Sequence, residues 1–178
     1  SIAVAYPEKE CSLDSLSDPG VPSLLYLDSI GLELVGEEAA QQYLLTAHDP
    51  AKSRLMSSLK EFLADDLFEN TSSWGKSWGL QDLTMFILRD LKRKADQRLG
   101  ADVKRVLIGH PVVFPKAEGP KFDTLQDLAL ERLYEAALLA GFNVVEFLAE
   151  PTAALSYDDE LVSGVFSFLF LYVLLLKG

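Results

Sequence analysis

The sequence is poor in the residues that build redox and metal sites. It holds one cysteine, Cys11, and two histidines, His48 and His110, among its 178 residues. A single cysteine forms no disulfide within the chain, which suits a reducing compartment, and we expect a cytoplasmic protein. Cys11 lies in a polar stretch with no histidine nearby, so we expect no catalytic thiol. Two histidines also exclude a histidine-rich metal site.

Positive charge is scarce as well. There are 16 lysines and arginines against 27 aspartates and glutamates, which gives a formal net charge of −11. A nucleic-acid binder normally carries a basic face, so we expect no nucleic-acid partner, and the same charge opposes binding to anionic lipid. A phosphate-bearing ligand remains compatible with this charge, because backbone N–H groups and a metal ion override it locally.

The start of the chain lacks a secretory signal. Residues 1–4 have no basic region and no adequate apolar core, and no initiator methionine is present. The chain opens in mid-strand, so we expect a fragment of a longer product. Its length is enough for one domain with a substantial core, or for two small lobes.

Apolar patterns predict an α/β protein. Short apolar runs at 2–6, 24–27 and 32–35 predict an antiparallel meander, and residues 37–46 predict a helix. Helical spacing of apolar residues extends over 53–68. Residues 70–73 and 75–79 are predicted as loop, with Trp74 and Trp78 as loop residues anchored on a core.

The second half has the clearest periodicity. Residues 80–99 predict a helix that ends at Gly100, and its bases Arg89, Lys92, Arg93 and Lys94 are interpreted as a solvated face. A strand is predicted at 105–114, interrupted by Pro111. A helix then follows to residue 140, with Asp123 as N-cap and Gln126 completing a loose capping box.

An apolar run at 144–149 predicts the next strand, and it ends on Glu150. Pro151 follows at once and is typical of the first residue of a helix. The order strand, helix, strand with short connections predicts a right-handed parallel crossover. Glu150 would then lie at the carboxyl end of a strand, where open α/β sheets bind ligands. The alternative is that Glu150 only caps the following helix.

Three linked segments resemble the DnaK-like 70-kDa heat-shock chaperones. They are the strand Val106-Leu107-Ile108-Gly109-His110-Pro111-Val112-Val113-Phe114, the helix from Asp123 to Gly141, and the run from Asn143 to Tyr157 with its Glu-Pro-Thr-Ala-Ala core. The match covers about 80–159 well and 1–68 more loosely. The residues at His110 and at Glu146-Phe147 differ from those of typical members of the family, which indicates a divergent subgroup.

The resemblance implies an actin-like (ribonuclease-H-like) ATPase lobe: a mixed sheet with an N-terminal antiparallel meander and a parallel crossover, and helices on its faces. It implies ATP and Mg²⁺ as cofactors. Glu150 matches the glutamate near the metal and its waters, and Lys60 is the best match to a lysine that contacts the transferred phosphate. Pro111 and Thr152 match positions that link the nucleotide site to the rest of the protein; the resemblance implies cofactor binding by Glu150 and Thr152 and coupling of the lobes by Pro111. The alternatives are structural: Lys60 as an exposed helix lysine, Pro111 ending a strand and Thr152 beginning a helix.

The two phosphate-binding hairpins of that family are missing from the sequence. No Asp-x-Gly-Thr or Gly-Gly-Gly-Thr turn occurs, and an apolar tail stands where the second is due. We therefore predict a partial N-terminal lobe at 1–160 and a tail departing from the family at 161–178. Three interpretations of the tail stay open: a strand or helix replacing the missing half, a short membrane-associated segment over 161–176, and sequence from outside the family.

The leading hypothesis is the N-terminal lobe of a DnaK-like chaperone that binds and hydrolyses ATP. Unfolded polypeptide and co-chaperones would be partners through domains this chain lacks. The isolated chain is expected to be inactive as an ATPase, since both phosphate hairpins are missing. The alternative is a catalytically dead actin-fold scaffold or interaction module.

Overall fold

A computed structural model describes residues 2–5, 21–46, 49–150 and 171–176 of the chain. For 2–5, for residue 150 and for 171–176 it describes the backbone alone. Predictions that concern Cys11, His48, Thr152, the helix beginning at Pro151 or residues 161–170 lie outside these ranges.

The described chain alternates strands and helices. The strands are β1 (Ile2–Ala5), β2 (Leu24–Asp28), β3 (Glu33–Val35), β4 (Ser53–Ser57), β5 (Thr71–Ser73), β6 (Lys76–Trp78), β7 (Arg105–Pro111), β8 (Val144–Glu150) and β9 (Leu171–Leu176). The α-helices are α1 (Glu37–Leu45), α2 (Leu80–Leu99) and α3 (Phe122–Leu139), and two 3₁₀ helices cover Leu59–Phe62 and Gly119–Lys121.

The larger sheet is mixed and has the strand order β1-β9-β7-β8. β7 and β8 run parallel and are joined by α3, which confirms the predicted crossover. β9 pairs antiparallel with β7 and parallel with β1. Residues 171–176 of the apolar tail are thus a strand, and the three interpretations of the tail as a whole stay predictions.

The smaller sheet is antiparallel, in the order β3-β2-β4. Its β2 and β3 are two strands of the predicted meander, whereas the third predicted strand, β1, belongs to the larger sheet. The helix predicted over 53–68 is wrong. Residues 53–57 pair with β2, which satisfies their backbone groups, and Ser58 at φ 57° ends the strand before a single 3₁₀ turn.

The loops predicted at 70–73 and 75–79 form a hairpin instead. β5 and β6 pair antiparallel around a two-residue turn, with Trp74 at φ 53° and Gly75 at φ 74°. A tryptophan at the first turn position gives no sequence signal for such a turn, because glycine, asparagine and aspartate dominate there. Trp74 and Trp78 pack against the core as predicted, and the Trp74 Nε1–H donates to the Ala51 carbonyl at 2.7 Å.

Helix α2 follows its prediction, with Gly100 in the left-handed conformation at φ 61° just past its end. One of its four bases differs from the prediction. Lys92 is buried at 8 % exposure and bonds Asp96 at 2.8 Å and Asp102 at 2.6 Å. Burial alone lowers the pKa of Lys92, but these two carboxylates outweigh it and raise the pKa.

Helix α3 begins at Phe122, two residues earlier than an N-cap at Asp123 predicts. The 3₁₀ turn Gly119–Lys121 leads into it, so Lys121 occupies the N-cap position and no side chain caps the helix. The predicted capping by Asp123 and Gln126 is therefore wrong. Asp123 lies inside the helix, and the Gln126 side chain bonds the preceding loop instead.

Two apolar clusters hold these elements together. The larger joins α2 to the smaller sheet, to β7 and to the end of α3, with Leu25, Leu88, Ile108 and Ala136 fully buried. The smaller lies under α3 and the loop after β7; its buried members are Leu63, Ala64, Phe114, Ala117, Leu125, Ala129 and Leu133. Within the described residues, no helix is both long enough and apolar enough to cross a membrane.

Candidate functional site

The carboxyl ends of β7 and β8 meet at one edge of the larger sheet. The last residue of β7, Pro111, is the ladder partner of the last residue of β8, Glu150. Since the two strands are parallel neighbours, the backbones of these residues lie side by side. This edge is where open α/β sheets bind ligands. The pairing brings together two of the four residues singled out in the sequence.

Aromatic rings support this edge from one side of the sheet. The His110 ring stacks on Phe114, with centroids 5.5 Å apart and an interplanar angle of 4°. The same ring meets Phe147 edge-on at 6.1 Å, and its Nδ1 lies 2.9 Å from the Pro111 carbonyl oxygen. His110, one of the positions that differ from the usual family sequence, thus contacts both strands beside Pro111.

The loop after Pro111 is fastened to α3 by one side chain. Gln126 Oε1 accepts a hydrogen bond from the Phe114 N–H at 2.7 Å, and its Nε2 donates to the Val112 carbonyl at 2.7 Å. Both amide functions of the glutamine are therefore used on the chain that follows β7. This connects the strand end with the helix that leads to β8.

Lys60 lies on a different segment, in the 3₁₀ helix Leu59–Phe62. Its side chain is half-buried, whereas the structural alternative was an exposed lysine on a longer helix. Leu59, Leu63 and Ala64 beside it are buried, so the segment packs on the core. The role of Lys60 toward a phosphate remains a prediction.

Two ion pairs tie the Lys60 segment to the loop after β7. Lys116 Nζ lies 2.5 Å from Asp65 and 4.2 Å from the Phe62 ring centroid, and Lys121 Nζ lies 2.7 Å from Asp66. The hydrogen bond from Lys116 holds the pKa of Asp65 below its ordinary value, although burial opposes the shift. The segment that carries Lys60 and the loop that follows Pro111 are therefore in direct contact.

Sequence reasoning missed the side chains that make these connections. Gln126 was assigned to a helix cap, and Arg132 gave no functional signal. Arg132 lies one residue before Leu133, at the border of the apolar stripe of α3, and its guanidinium reaches four carbonyls of residues 62–68. The one feature of the sequence that could have drawn attention to Arg132 is its position at the border of an apolar stripe.

The side chains at the strand ends limit how a metal ion could be bound there. Within the described residues, no group of three or more His, Cys, Asp and Glu side chains could hold an ion. Mg²⁺ in nucleotide sites usually keeps several waters and takes one or two carboxylates together with the substrate phosphates. One carboxylate at the end of β8, acting through water, fits that chemistry. The predicted contact of Thr152 lies outside the described residues.

The fold defines the chain as an α/β lobe with a candidate ligand-binding edge at the ends of two parallel strands. No protein-family model matches it. It is 31% identical over 133 residues to the chaperone protein DnaK of Thermosipho melanesiensis and 32% identical over 133 residues to that of Thermosipho africanus. It is 29% identical over 151 residues to the chaperone protein DnaK of Methanothermobacter thermautotrophicus.

The matches to the two Thermosipho proteins cover 75% of this chain, and the match to the Methanothermobacter protein covers 82% of it. Over these residues the chain belongs to the DnaK-like family of 70-kDa heat-shock proteins, as the resemblance predicted. Its mixed α/β fold agrees with the predicted actin-like ATPase lobe. The chain spans about a fifth of the length of the relatives it matches, 19% for the Thermosipho proteins and 22% for the third.

Proposed function

We propose that this chain is part of the ATP-binding lobe of a DnaK-like chaperone, with the nucleotide phosphates and Mg²⁺ at the carboxyl ends of β7 and β8. The observation that carries the proposal is the register of Pro111 with Glu150 at adjacent parallel strand ends. In this proposal Glu150 orients the hydrated ion through water, and Thr152 lies on the nucleotide side. Pro111 couples the site to the other lobe.

Phosphoryl transfer depends mostly on positioning and charge neutralisation, and the residues present suit those tasks. When bound, Mg²⁺ would neutralise phosphate charge. The Lys60 ammonium would contact the transferred phosphate from the neighbouring segment. The contact between residues 65–66 and the loop after Pro111 supports this division of roles, because it brings the Lys60 segment to the chain that leaves β7.

The whole protein would bind ATP, hydrolyse it slowly and act in the cytoplasm on unfolded polypeptides, together with co-chaperones. The similarity to proteins named chaperone protein DnaK supports the chaperone part of this proposal. Domains beyond this chain would carry the polypeptide and co-chaperone contacts.

The isolated chain should show no appreciable ATPase activity. Its sequence holds neither of the turns whose backbone N–H groups hold phosphates in this family. The second candidate function is a catalytically dead scaffold or interaction module that keeps only the fold. The genomic sequence on either side separates the two candidates, since an Asp-x-Gly-Thr turn upstream and a Gly-Gly-Gly-Thr turn downstream belong to the ATPase.

A thermal-shift measurement on the full chain tests nucleotide binding. Millimolar Mg-ATP should raise the melting temperature by about 3 °C or more, because a ligand that binds only the folded state stabilises it. ATP with a chelator should give a smaller shift, and Glu150→Ala should remove the magnesium dependence. Glu146→Ala is the matched control, since Glu146 lies four residues earlier on β8, is half-exposed and pairs with Arg105.

Two kinds of result would contradict different parts of the proposal. No shift by Mg-ATP, or an equal shift in Glu150→Ala and in the unchanged chain, would favour the scaffold. Magnesium-dependent ATP hydrolysis by the isolated chain, abolished by Glu150→Ala, would contradict its inactivity while supporting the site.

A further inference from the structure

The segment that carries Lys60 has little regular structure of its own. After Ser58, at φ 57°, it makes one 3₁₀ turn over Leu59–Phe62 and then a series of turns as far as residue 68. A single turn leaves most of its carbonyl groups without partners inside the helix, and those groups need donors from elsewhere. The position of Lys60 therefore depends on what binds the carbonyls that follow it.

One guanidinium binds four of them. Arg132 Nη1 donates to the carbonyls of Phe62 at 3.2 Å, Leu63 at 2.7 Å and Asp65 at 3.0 Å. Arg132 Nη2 donates to the Phe68 carbonyl at 3.0 Å. Burial lowers the pKa of Arg132, while the charges of Asp65 and Asp66 oppose that shift. A guanidinium suits this task because its planar fork presents five donors, whereas a lysine ammonium is a point charge.

Arg132 belongs to α3, the helix that joins the two strands of the candidate site. The loop that leads into α3 adds the Lys116–Asp65 and Lys121–Asp66 ion pairs. Each of these contacts fixes residues 62–68 relative to the β7–α3–β8 crossover. None of them needs the side chain of Lys60, so they can set its position without competing for its amine.

We propose that Arg132 is a positioning residue for Lys60, holding residues 59–68 against the helix that connects the strand ends of Pro111 and Glu150. The functional meaning of this anchoring rests on the proposed ATP site, in which Lys60 contacts the transferred phosphate. The anchoring itself is measurable without nucleotide.

The experiment compares the full chain with Arg132→Met and Arg132→Lys. Each protein is treated briefly with an acetylating reagent, and peptide mass spectrometry gives the rate at Lys60 relative to exposed Lys76. Hydrogen exchange is followed over 59–68. We expect both rates to rise about tenfold in Arg132→Met, the factor for losing a charge-assisted hydrogen bond, with a smaller rise in Arg132→Lys. Arg93→Met, which removes an exposed arginine that pairs with Asp90 of the same helix, should change neither rate.

Adding Mg-ATP separates positioning from general support of the fold. In the unchanged chain Mg-ATP should slow acetylation of Lys60. In Arg132→Met the melting-temperature shift by Mg-ATP should persist while the protection of Lys60 is lost, and Arg132→Lys should recover part of that protection. If Mg-ATP neither raises the melting temperature of the unchanged chain nor slows acetylation of its Lys60, the proposed function fails. The acetylation and hydrogen-exchange rates measured without nucleotide still decide whether Arg132 anchors the segment.

The proposal is overturned if folded Arg132→Met keeps the Lys60 rate, or if its exchange rises equally over the whole chain. It is also overturned if Arg132→Met loses nucleotide binding and Lys60 protection together, since Arg132 would then support the whole site. Should Arg132→Met fail to fold, Arg132→Lys and Lys116→Met decide the outcome, and unchanged rates at residues 59–68 in both contradict the proposal.

Discussion

The two regions that carry the candidate site residues are held by different forces. The crossover β7–α3–β8 rests on buried apolar side chains and a parallel ladder, with Val106, Ile108, Ala136 and Ala137 fully buried. The segment 59–68 has fewer buried side chains and relies on the Arg132 guanidinium and two ion pairs. Pro111 and Glu150 therefore lie on a scaffold fixed by the hydrophobic effect, and Lys60 on one fixed by polar contacts. The second scaffold should respond to acid pH, whereas the first should not.

The largest expected effect comes from the apolar region. Ile108→Ala removes a fully buried side chain from β7 and should lower the free energy of unfolding by about 2–5 kcal/mol, since the lost burial and the cavity both cost stability. Urea denaturation at neutral pH measures it. Leu148→Ala on neighbouring β8, where the side chain is 57% exposed, should stay within about 0.5 kcal/mol. Equal losses in the two variants would contradict a crossover held by its buried face.

A smaller effect is expected at a polar contact inside the crossover, between α3 and the loop after β7. Gln126→Ala removes both hydrogen bonds to the loop after β7 and leaves the Phe114 N–H without its partner, which should cost about 1–2 kcal/mol. The measurement is again urea denaturation, with Gln97→Ala on the exposed side of α2 as control. An unchanged Gln126→Ala variant would show that the apolar contacts alone hold this loop.

The smallest effect should appear as a pH dependence of the polar region. Lys116 holds the pKa of folded Asp65 below its unfolded value of about 3.9. The stabilisation is therefore complete above that value and is lost as the pH falls through the folded pKa. We expect exchange at residues 59–68 to accelerate over that interval beyond the intrinsic effect of pH, by an amount equivalent to about 1 kcal/mol or less.

Asp65→Asn should abolish this extra acceleration and weaken the segment at neutral pH. Asp127→Asn, on the exposed side of α3, changes the net charge equally and is the control. An acid response that survives in Asp65→Asn would assign the pH sensitivity to another group and weaken the contrast between the two regions.

The sequence was informative where local pattern and tertiary structure agree. The period of apolar residues in α2 and α3, the glycines after both helices and the short connections predicted the crossover. The structure then ended the first strand at Pro111 instead of Phe114 and paired Pro111 with Glu150. The sequence misled where a residue had more than one use. Apolar spacing over 53–68 suits a helix. Residues 53–57 instead pair with an edge of β2, and this pairing satisfies their backbone groups. Lys92 is one of the four bases of α2 that were interpreted as a solvated face. It is buried because its ammonium forms ion pairs with Asp96 and Asp102.

By itself, then, the sequence determined the family, the order of the crossover elements and Glu150 at the end of the second strand, because helix and strand periods are local properties. Tertiary structure alone decided what holds Lys60. Its segment has weak local preference, and the groups that bind it, Arg132 and Lys116, lie 72 and 56 positions along the chain. Which distant donor finds which carbonyl depends on how α3 packs, and that follows from burying its apolar stripe rather than from any pattern near Lys60.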